Sequence, residues 1–362
     1  MAEIDRYLKN LLQKNGSDLH LIASHKPCMR INGSLGEVED LPLLASSEIE
    51  KMANEIFSKE QNELLPQSKN IDFSYEMKDN GSKYRFRGNA YYQKLGLNII
   101  LRSIPKDVPS LEYLGLPPRL AMLTEHHQGL ILATGPAGCG KTSTLAALVE
   151  IVNQKKSAHI ITVEDPIEYV FLSKKSLINQ RQVGKDVDSF QLALKGALRE
   201  DPDVILIGEL RDLETIQLAI TAAETGHLVM GTLHTQSAIK TIDRVIDSFP
   251  VDQQAQIRTM LSESLKGVIS QKLIPKKDGT GRVAAVEILI GNLSVANTIR
   301  EGKTYKLESV MQTGKNLGMI MLDASIKDLY EKGIISMEEA LLNVRDSTTF
   351  KQNVAAKATS QS

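Results

Sequence analysis

The segment Gly135-Pro136-Ala137-Gly138-Cys139-Gly140-Lys141-Thr142 constrains the fold more than any other stretch of this chain. It follows the apolar run Leu130-Ile131-Leu132-Ala133 and leads into the helix-forming Ser143-Thr144-Leu145-Ala146-Ala147-Leu148-Val149. A G-x-x-x-x-G-K-[ST] pattern between a strand and a helix is a P-loop, whose backbone N–H groups wrap phosphates. In such a loop Lys141 reaches the β- and γ-phosphates and Thr142 offers its hydroxyl to Mg²⁺. The expected nucleotide-binding residues are therefore Gly135, Pro136, Ala137, Gly138, Cys139, Gly140, Lys141, Thr142 and Ser143.

The sequence around the loop predicts an α/β chain. From about residue 119 onward, apolar strands at 129–133, 159–163, 204–207 and 227–232 alternate with amphipathic helical stretches. That rhythm implies right-handed βαβ units and a parallel sheet, with phosphate sites beyond the carboxyl ends of the strands. Residues 1–104 read as a separate mixed α/β domain. A helical stripe Ile4, Leu8, Leu11, Leu12 precedes an extended Asp18–Ile22, and a second helix covers about 46–57. Extended runs follow at 71–76, 83–92 and 97–104, with Asn80-Gly81 as a hairpin signal. Four prolines in 105–118 predict a linker, because proline continues neither a helix nor a central strand. The second domain spans 119–345, and the Ser/Thr/Lys/Ala-rich tail 346–362 is expected to fray.

Composition excludes several classes. With 43 basic and 44 acidic residues the net charge is −1, so no broad electrostatic footprint for nucleic acid exists. Aromatics make up 4% with no Trp, which leaves few stacking platforms for single strands. Cys28 and Cys139 are far apart and match no zinc spacing, as expected of reduced cytoplasmic thiols. No apolar run approaches the about 18 residues of a membrane span, and the acidic start Met1-Ala2-Glu3-Ile4-Asp5 is no signal peptide.

Three strands deliver acids or a histidine toward the P-loop edge. Glu164, Asp165 and Glu168 follow Ile160–Val163, Glu209 follows Val204–Ile207, and His234 follows Leu228–Thr232. Phosphoryl transfer to water needs a held Mg²⁺ and a group that orients the attacking water. Glu209 occupies the Walker B-like position and suits the orienting role, or pairs with Arg211 on the surface. Glu164, Asp165 and Glu168 supply Mg²⁺ contacts, share the water, or cap the next turn. His234 senses the γ-phosphate or is structural. Arg85, Arg87 and Arg102 lie on neighbouring extended runs, with Arg85 and Arg87 on one face.

These motifs together resemble the secretion and type IV pilus ATPase family, and within it the PilT-type retraction motors. The resemblance spans nearly the whole chain. It rests on Gly16-Ser17-Asp18-Leu19-His20, Arg85-Phe86-Arg87-Gly88-Asn89-Ala90, the P-loop, Ile161–Glu168 and Leu198–Asp203. Ile207-Gly208-Glu209-Leu210-Arg211-Asp212 matches the family's Walker B ending in Glu, and Thr225-Gly226-His227 with Thr232-Leu233-His234-Thr235 matches its histidine box.

The resemblance implies a PAS-like N-terminal domain and a RecA-like P-loop ATPase domain, assembled as a homohexamer that hydrolyses ATP with Mg²⁺. The active site would lie between the two domains. Glu209, Glu164, Glu168, His234, His227, Arg87 and Arg102 are the implied catalytic residues, with Thr142 and Asp165 toward the metal. The implied setting is cytoplasmic, peripheral at the inner-membrane base of the pilus, against a platform protein, with no membrane span and no nucleic acid. The retraction motif A-I-R-N-L-I-R-E stands here as Ser294-Val295-Ala296-Asn297-Thr298-Ile299-Arg300-Glu301, without its first arginine. The P-loop departs at Ala137, Cys139 and Thr142, and Thr142 keeps the hydroxyl. A pilus-assembly or accessory motor is the second reading. A RecA-like nucleic-acid translocase and a non-hydrolysing scaffold are the remaining ones.

Overall fold

Apolar residues alternate along the strands of the first hundred residues and run unbroken along those that follow, and two kinds of sheet result. The computed structural model describes residues 2–38, 41–79, 81–105 and 107–352. The chain divides into two compact units, one ending at Asp107 and one beginning at Val108.

The first unit holds α1 (Asp5–Gln13), β1 (Asp18–Leu21), β2 (Cys28–Ile31) and β3 (Ser34–Glu37). These are followed by α2 (Ser46–Ile56), α3 (Lys59–Ser68), β4 (Asn70–Asp79), β5 (Ser82–Gln93) and β6 (Gly96–Ile104). The six strands form one antiparallel sheet in the order β3-β2-β1-β6-β5-β4. Period-two alternation sends Leu19, Leu21, Phe86, Ala90, Ile99 and Leu101 into a core shared with Tyr7, Leu8 and Leu11 of α1. Each large side chain buried there contributes about 1.5–3 kcal/mol. The alternate positions Asp18, His20, Arg87, Asn89 and Arg102 fall on the opposite face.

Pairing between β4 and β5 runs to Asp79↔Ser82, with Gly81 at φ 77° in the reversal. Asn80, the other half of that expected turn, lies outside the described residues. A second Asn-Gly turn, not anticipated, joins β2 to β3. Asn32 and Gly33 have φ of 51° and 91° between the paired Ile31 and Ser34, as a two-residue hairpin requires.

The second unit is built on β7 (Gly129–Thr134), β8 (His159–Glu164), β9 (Leu177–Gln182), β10 (Val204–Ile207), β11 (Leu228–Leu233), β12 (Leu265–Pro275) and β13 (Arg282–Ile290). Its helices are α4 (Lys141–Lys155), α5 (Phe190–Ala197), α6 (Leu213–Glu224), α7 (Ala238–Asp247) and α8 (Val251–Ser264). After the last strand come α9 (Leu293–Arg300), α10 (Leu307–Thr313), α11 (Leu322–Glu331) and α12 (Met337–Asn343). The sheet order is β13-β12-β7-β11-β10-β8-β9, parallel except for the β12–β13 pair. Every residue of β7, β10 and β11 is buried, so these central strands read as continuous apolar runs. No helix among the described residues is long and apolar enough to cross a membrane.

Two expectations differ from what is found. The proline-rich 105–118 stretch was expected to be a linker, yet from Val108 it belongs to the second unit, with Leu111 and Leu116 buried in that unit's core. The prolines stop regular structure there but leave the leucines free to pack. The expected frayed tail is ordered at its start. Phe350 is 4% exposed and meets Tyr330 edge-on, in a small core with Ile326, Leu329 and Ile335. Residues 353–362 of that tail lie outside the described residues.

Candidate nucleotide-binding site

Because β7, β8, β10 and β11 run parallel in register, the residues after each converge on one edge of the sheet. The P-loop spans Gly135–Gly140 between β7 and α4. Gly135, Gly138 and Gly140 have φ of 137°, 72° and 92°, conformations that side-chain-bearing residues resist. A Cβ on Gly135 would lie 2.2 Å from the Gln271 carbonyl oxygen and 2.7 Å from Cys139 Sγ. Pro136, Ala137 and Gly138 are exposed on the loop crest, while Cys139 is buried and its thiol is pushed up by burial.

Lys141 opens α4 with only 9% exposure. Its ammonium donates to Gly135 O at 2.8 Å, Pro136 O at 3.0 Å and His234 Nδ1 at 3.4 Å. All three N–H groups are used, and none of the acceptors is a carboxylate. The loop thus holds an un-neutralised cation beside the N-terminus of a 15-residue helix, which fits a phosphate. Thr142 is half-buried in the first turn of α4, and the Ser143 hydroxyl shares a 2.8 Å hydrogen bond with Tyr169.

An ammonium has no acceptor, so Nδ1 of His234 receives the lysine proton and Nε2 must carry the ring's own proton. Nε2 lies 3.0 Å from Glu209 Oε1, and Arg211 Nη2 lies 2.7 Å from Glu209 Oε2. Lys141, His234, Glu209 and Arg211 therefore form one chain of contacts along the edge. Burial works against the charged form of Glu209, but Arg211 and His234 outweigh it and hold the carboxyl below the usual range. The backbone before and after Glu209 is tied to β11 by Thr232 Oγ1 donating to Gly208 O and Leu210 N donating to Thr232 O.

The remaining expected residues are placed differently. Glu164 ends β8 but is 3% exposed, and its Oε1 accepts from Thr162 Oγ1 at 2.7 Å and Gln180 Nε2 at 3.2 Å. Those partners tie the carboxyl to β8 and β9, and burial raises its pKa. Asp165 is exposed, near enough to Arg211 to act on its charge, and Glu168 is half-buried beside Glu164. His227 does not join the cluster. It precedes β11 at the amino edge, where its Nδ1 lies 3.0 Å from Ala222 O and its carbonyl accepts from Gly129 N. A six-residue strand separates it from His234 by about 20 Å.

In the first unit, Arg87 and Arg102 stand directly opposite each other on β5 and β6. Arg102 Nε donates to the buried Asp18 at 2.8 Å, and the Arg102 side chain is 62% exposed.

A family model described as type II/IV secretion system protein matches residues 1–354. The chain belongs to this family. The type IV pilus retractation ATPase PilT of Pseudomonas aeruginosa is 48% identical over 338 residues, covering 93% of this chain and 97% of that protein. A twitching motility protein of Neisseria gonorrhoeae is 47% identical over 326 residues, covering 90% of this chain and 86% of its own. The solved structure of the pilus retraction motor PilT with bound ADP superposes with a TM-score of 0.87 at 44% identity, covering 97% of this chain and 99% of that one. Membership accounts for the fold: a mixed α/β N-terminal unit and a RecA-like second unit carrying the P-loop.

One residue outside the loop braces it, and its role is not visible in the sequence. Gln271 of β12 is 4% exposed; its Nε2 donates to Cys139 O at 2.6 Å and its Oε1 accepts from Thr144 Oγ1 at 2.8 Å. Gln271 sits among the polar neighbours Ser270 and Lys272, so nothing local singles it out. Glu287, by contrast, is the single polar residue in Ala284–Ile290. Its buried carboxylate accepts from Ala238 N at the start of α7 and pairs with Arg345.

Proposed function

We propose that this chain is an ATP-hydrolysing motor subunit that assembles as a homohexamer and powers type IV pilus retraction. The carrying observation is the Lys141–His234–Glu209 chain at the P-loop, in a protein 48% identical to a pilus retractation ATPase over 93% of its length. ATP phosphates take the place of the loop carbonyls around Lys141, and the α4 N-terminus receives their negative charge. Magnesium, when bound, neutralises charge on the β- and γ-phosphates. Thr142 and Asp165 would hold it. Among the described residues no group of three or more His, Cys, Asp or Glu could hold a metal ion.

Glu209, kept ionised by Arg211, orients the attacking water and accepts its proton. His234 links that carboxylate to Lys141, so a phosphate arriving at Lys141 is felt at Glu209. Arg87 and Arg102 add positive charge toward the transferring phosphoryl group. The work would be done at the cytoplasmic base of the pilus, against an inner-membrane platform protein. Ala296 on α9, where the retraction motif has arginine, favours a second reading as an assembly or accessory motor.

Lys141→Ala should abolish turnover, and Glu209→Gln should bind nucleotide without hydrolysing it. Wild-type turnover in purified Glu209→Gln would remove the role assigned to that residue. In a strain lacking the gene, excess surface pili with lost twitching supports retraction. Bald cells indicate assembly, and normal pili an accessory motor.

A further inference from the structure

One row of side chains crosses the polar face of the first unit's sheet. Register pairs Arg30 of β2 with Asp18 of β1, Asp18 with Arg102 of β6, and Arg102 with Arg87 of β5. Three of the four are cations, and like charges on directly opposed strand positions repel. Left alone, Arg87 and Arg102 would splay apart. Asp18 is the acid in the row, and its geometry is well determined. It is 4% exposed, its Oδ2 accepts from Ser17 Oγ at 2.7 Å, and its Oδ1 accepts from Arg102 Nε at 2.8 Å. Arg30 Nε lies farther off, 3.8 Å from Oδ2. Burial pushes the carboxyl up, but the Ser17 hydroxyl and the Arg102 guanidinium overcome it and hold Asp18 below the usual carboxylate range. His20, two residues along the same strand, is pushed down by burial and by Arg30 and Arg102, against Asp18.

The way Arg102 is held matters. A guanidinium offers five N–H donors in a planar fork. Asp18 grips it at Nε, the end nearest the chain, while most of the side chain is exposed. That leaves the two terminal nitrogens outside this bond, on a side chain that is mostly exposed and opposite Arg87 in the strand register. A surface arginine loses rotamer freedom when it takes up a ligand, and an anchor of this kind removes part of that freedom beforehand.

We propose that Asp18 is a positioning residue that holds Arg102 beside Arg87, so that the two guanidinium groups act together on one phosphoryl group. The inference rests on the reading above that Arg102 contributes charge to the hydrolytic site. Asp18 itself touches no substrate.

The opposing consequence of charge alone makes the idea testable. Removing a carboxylate from a cationic face strengthens its attraction for ATP, so charge alone predicts a lower KM. Loss of positioning predicts a fall in kcat, about ten- to a hundredfold by analogy with small misplacements of catalytic groups. The experiment measures steady-state ATPase and thermal melting of the full-length assembled protein for Asp18→Ala, Asp18→Asn, Arg102→Ala and Asp18→Ala/Arg102→Ala. The expected result has three parts. Asp18→Ala lowers kcat without raising KM. Asp18→Asn, whose carbonyl still accepts from Nε, falls less. The double variant is no worse than Arg102→Ala. Losses that multiply in the double variant would make Asp18 merely structural and overturn the proposal. Wild-type kcat in Asp18→Ala alongside an impaired Arg102→Ala overturns it while leaving the role of Arg102 intact. Wild-type kcat in Arg102→Ala removes that role and this inference with it.

Discussion

Gln271→Ala should loosen the P-loop from behind, without replacing any of the residues expected to meet the nucleotide. The Gln271 carboxamide spans Cys139 O and Thr144 Oγ1 from a position only 4% exposed. Its removal strands the Cys139 carbonyl, and a buried acceptor left unpaired costs about 1–3 kcal/mol. Thr144 suffers less, because its hydroxyl also lies 3.1 Å from Gly140 O and can turn there. With the small void added, the expected destabilisation is about 2–3 kcal/mol. For a folded unit of this size that corresponds to a fall in Tm of about 4–10 °C.

The freed carbonyl belongs to Cys139, two residues before Lys141, so the nucleotide KM should rise as well. Gln271→Glu separates the two bonds. It keeps an acceptor for Thr144 but sets a carboxylate against the Cys139 carbonyl, and should be at least as damaging as alanine. Thermal unfolding with and without Mg-ADP, together with steady-state ATPase, reads both effects. A Gln271→Ala protein with unchanged Tm and unchanged KM would refute the claim that this side chain holds the loop.

Two further predictions follow from contacts in the same unit. Gly135→Ala places a Cβ 2.2 Å from the backbone oxygen of Gln271 at a φ of 137°, so nucleotide binding should be lost. Gly138→Ala meets nothing within 4 Å and should bind more weakly but measurably; calorimetric titration with ADP distinguishes them. Glu287 is 1% exposed and its pKa is raised by burial, against the bond from Ala238 N and the charge of Arg345. Its protonated form therefore suits the fold better. Above the ordinary glutamate value of about 4.3, the unfolded chain releases this proton first, and stability falls until the folded-state pKa is passed. Glu287→Gln lacks that penalty, so its Tm should gain on the wild type as pH rises from about 4.5. A gap that widens in the wild type's favour would contradict the assignment.

Much of the site was legible because a P-loop is a local object. Its glycines, lysine and hydroxyl lie within eight residues, and the apolar runs around it dictate a parallel sheet. Topology then places the residues after β10 and β11 on the loop's edge, which is why Glu209 and His234 are expected there. Their direct contact, and the link from His234 to Lys141, depend on side-chain directions that no spacing reveals. The same limit explains the residues that went astray. Glu164 closes its strand much as Glu209 follows β10, but its carboxyl is bonded to Thr162 and to Gln180 of β9. His227 shares a box with His234 in the sequence, yet a strand runs between them.

The sequence by itself determined the nucleotide loop, the parallel sheet, the separate N-terminal unit and the family. All of these follow from residue type and local period, which act over a few residues. Tertiary structure alone decided that Gln271 braces the loop, that Asp18 grips Arg102, and that 108–118 and Phe350 pack into cores. Gln271 and Cys139 are separated by 132 positions and Asp18 and Arg102 by 84. A hydrogen bond across such a gap depends on folding having already brought distant strands side by side, and neither partner carries a mark of it in its own neighbourhood.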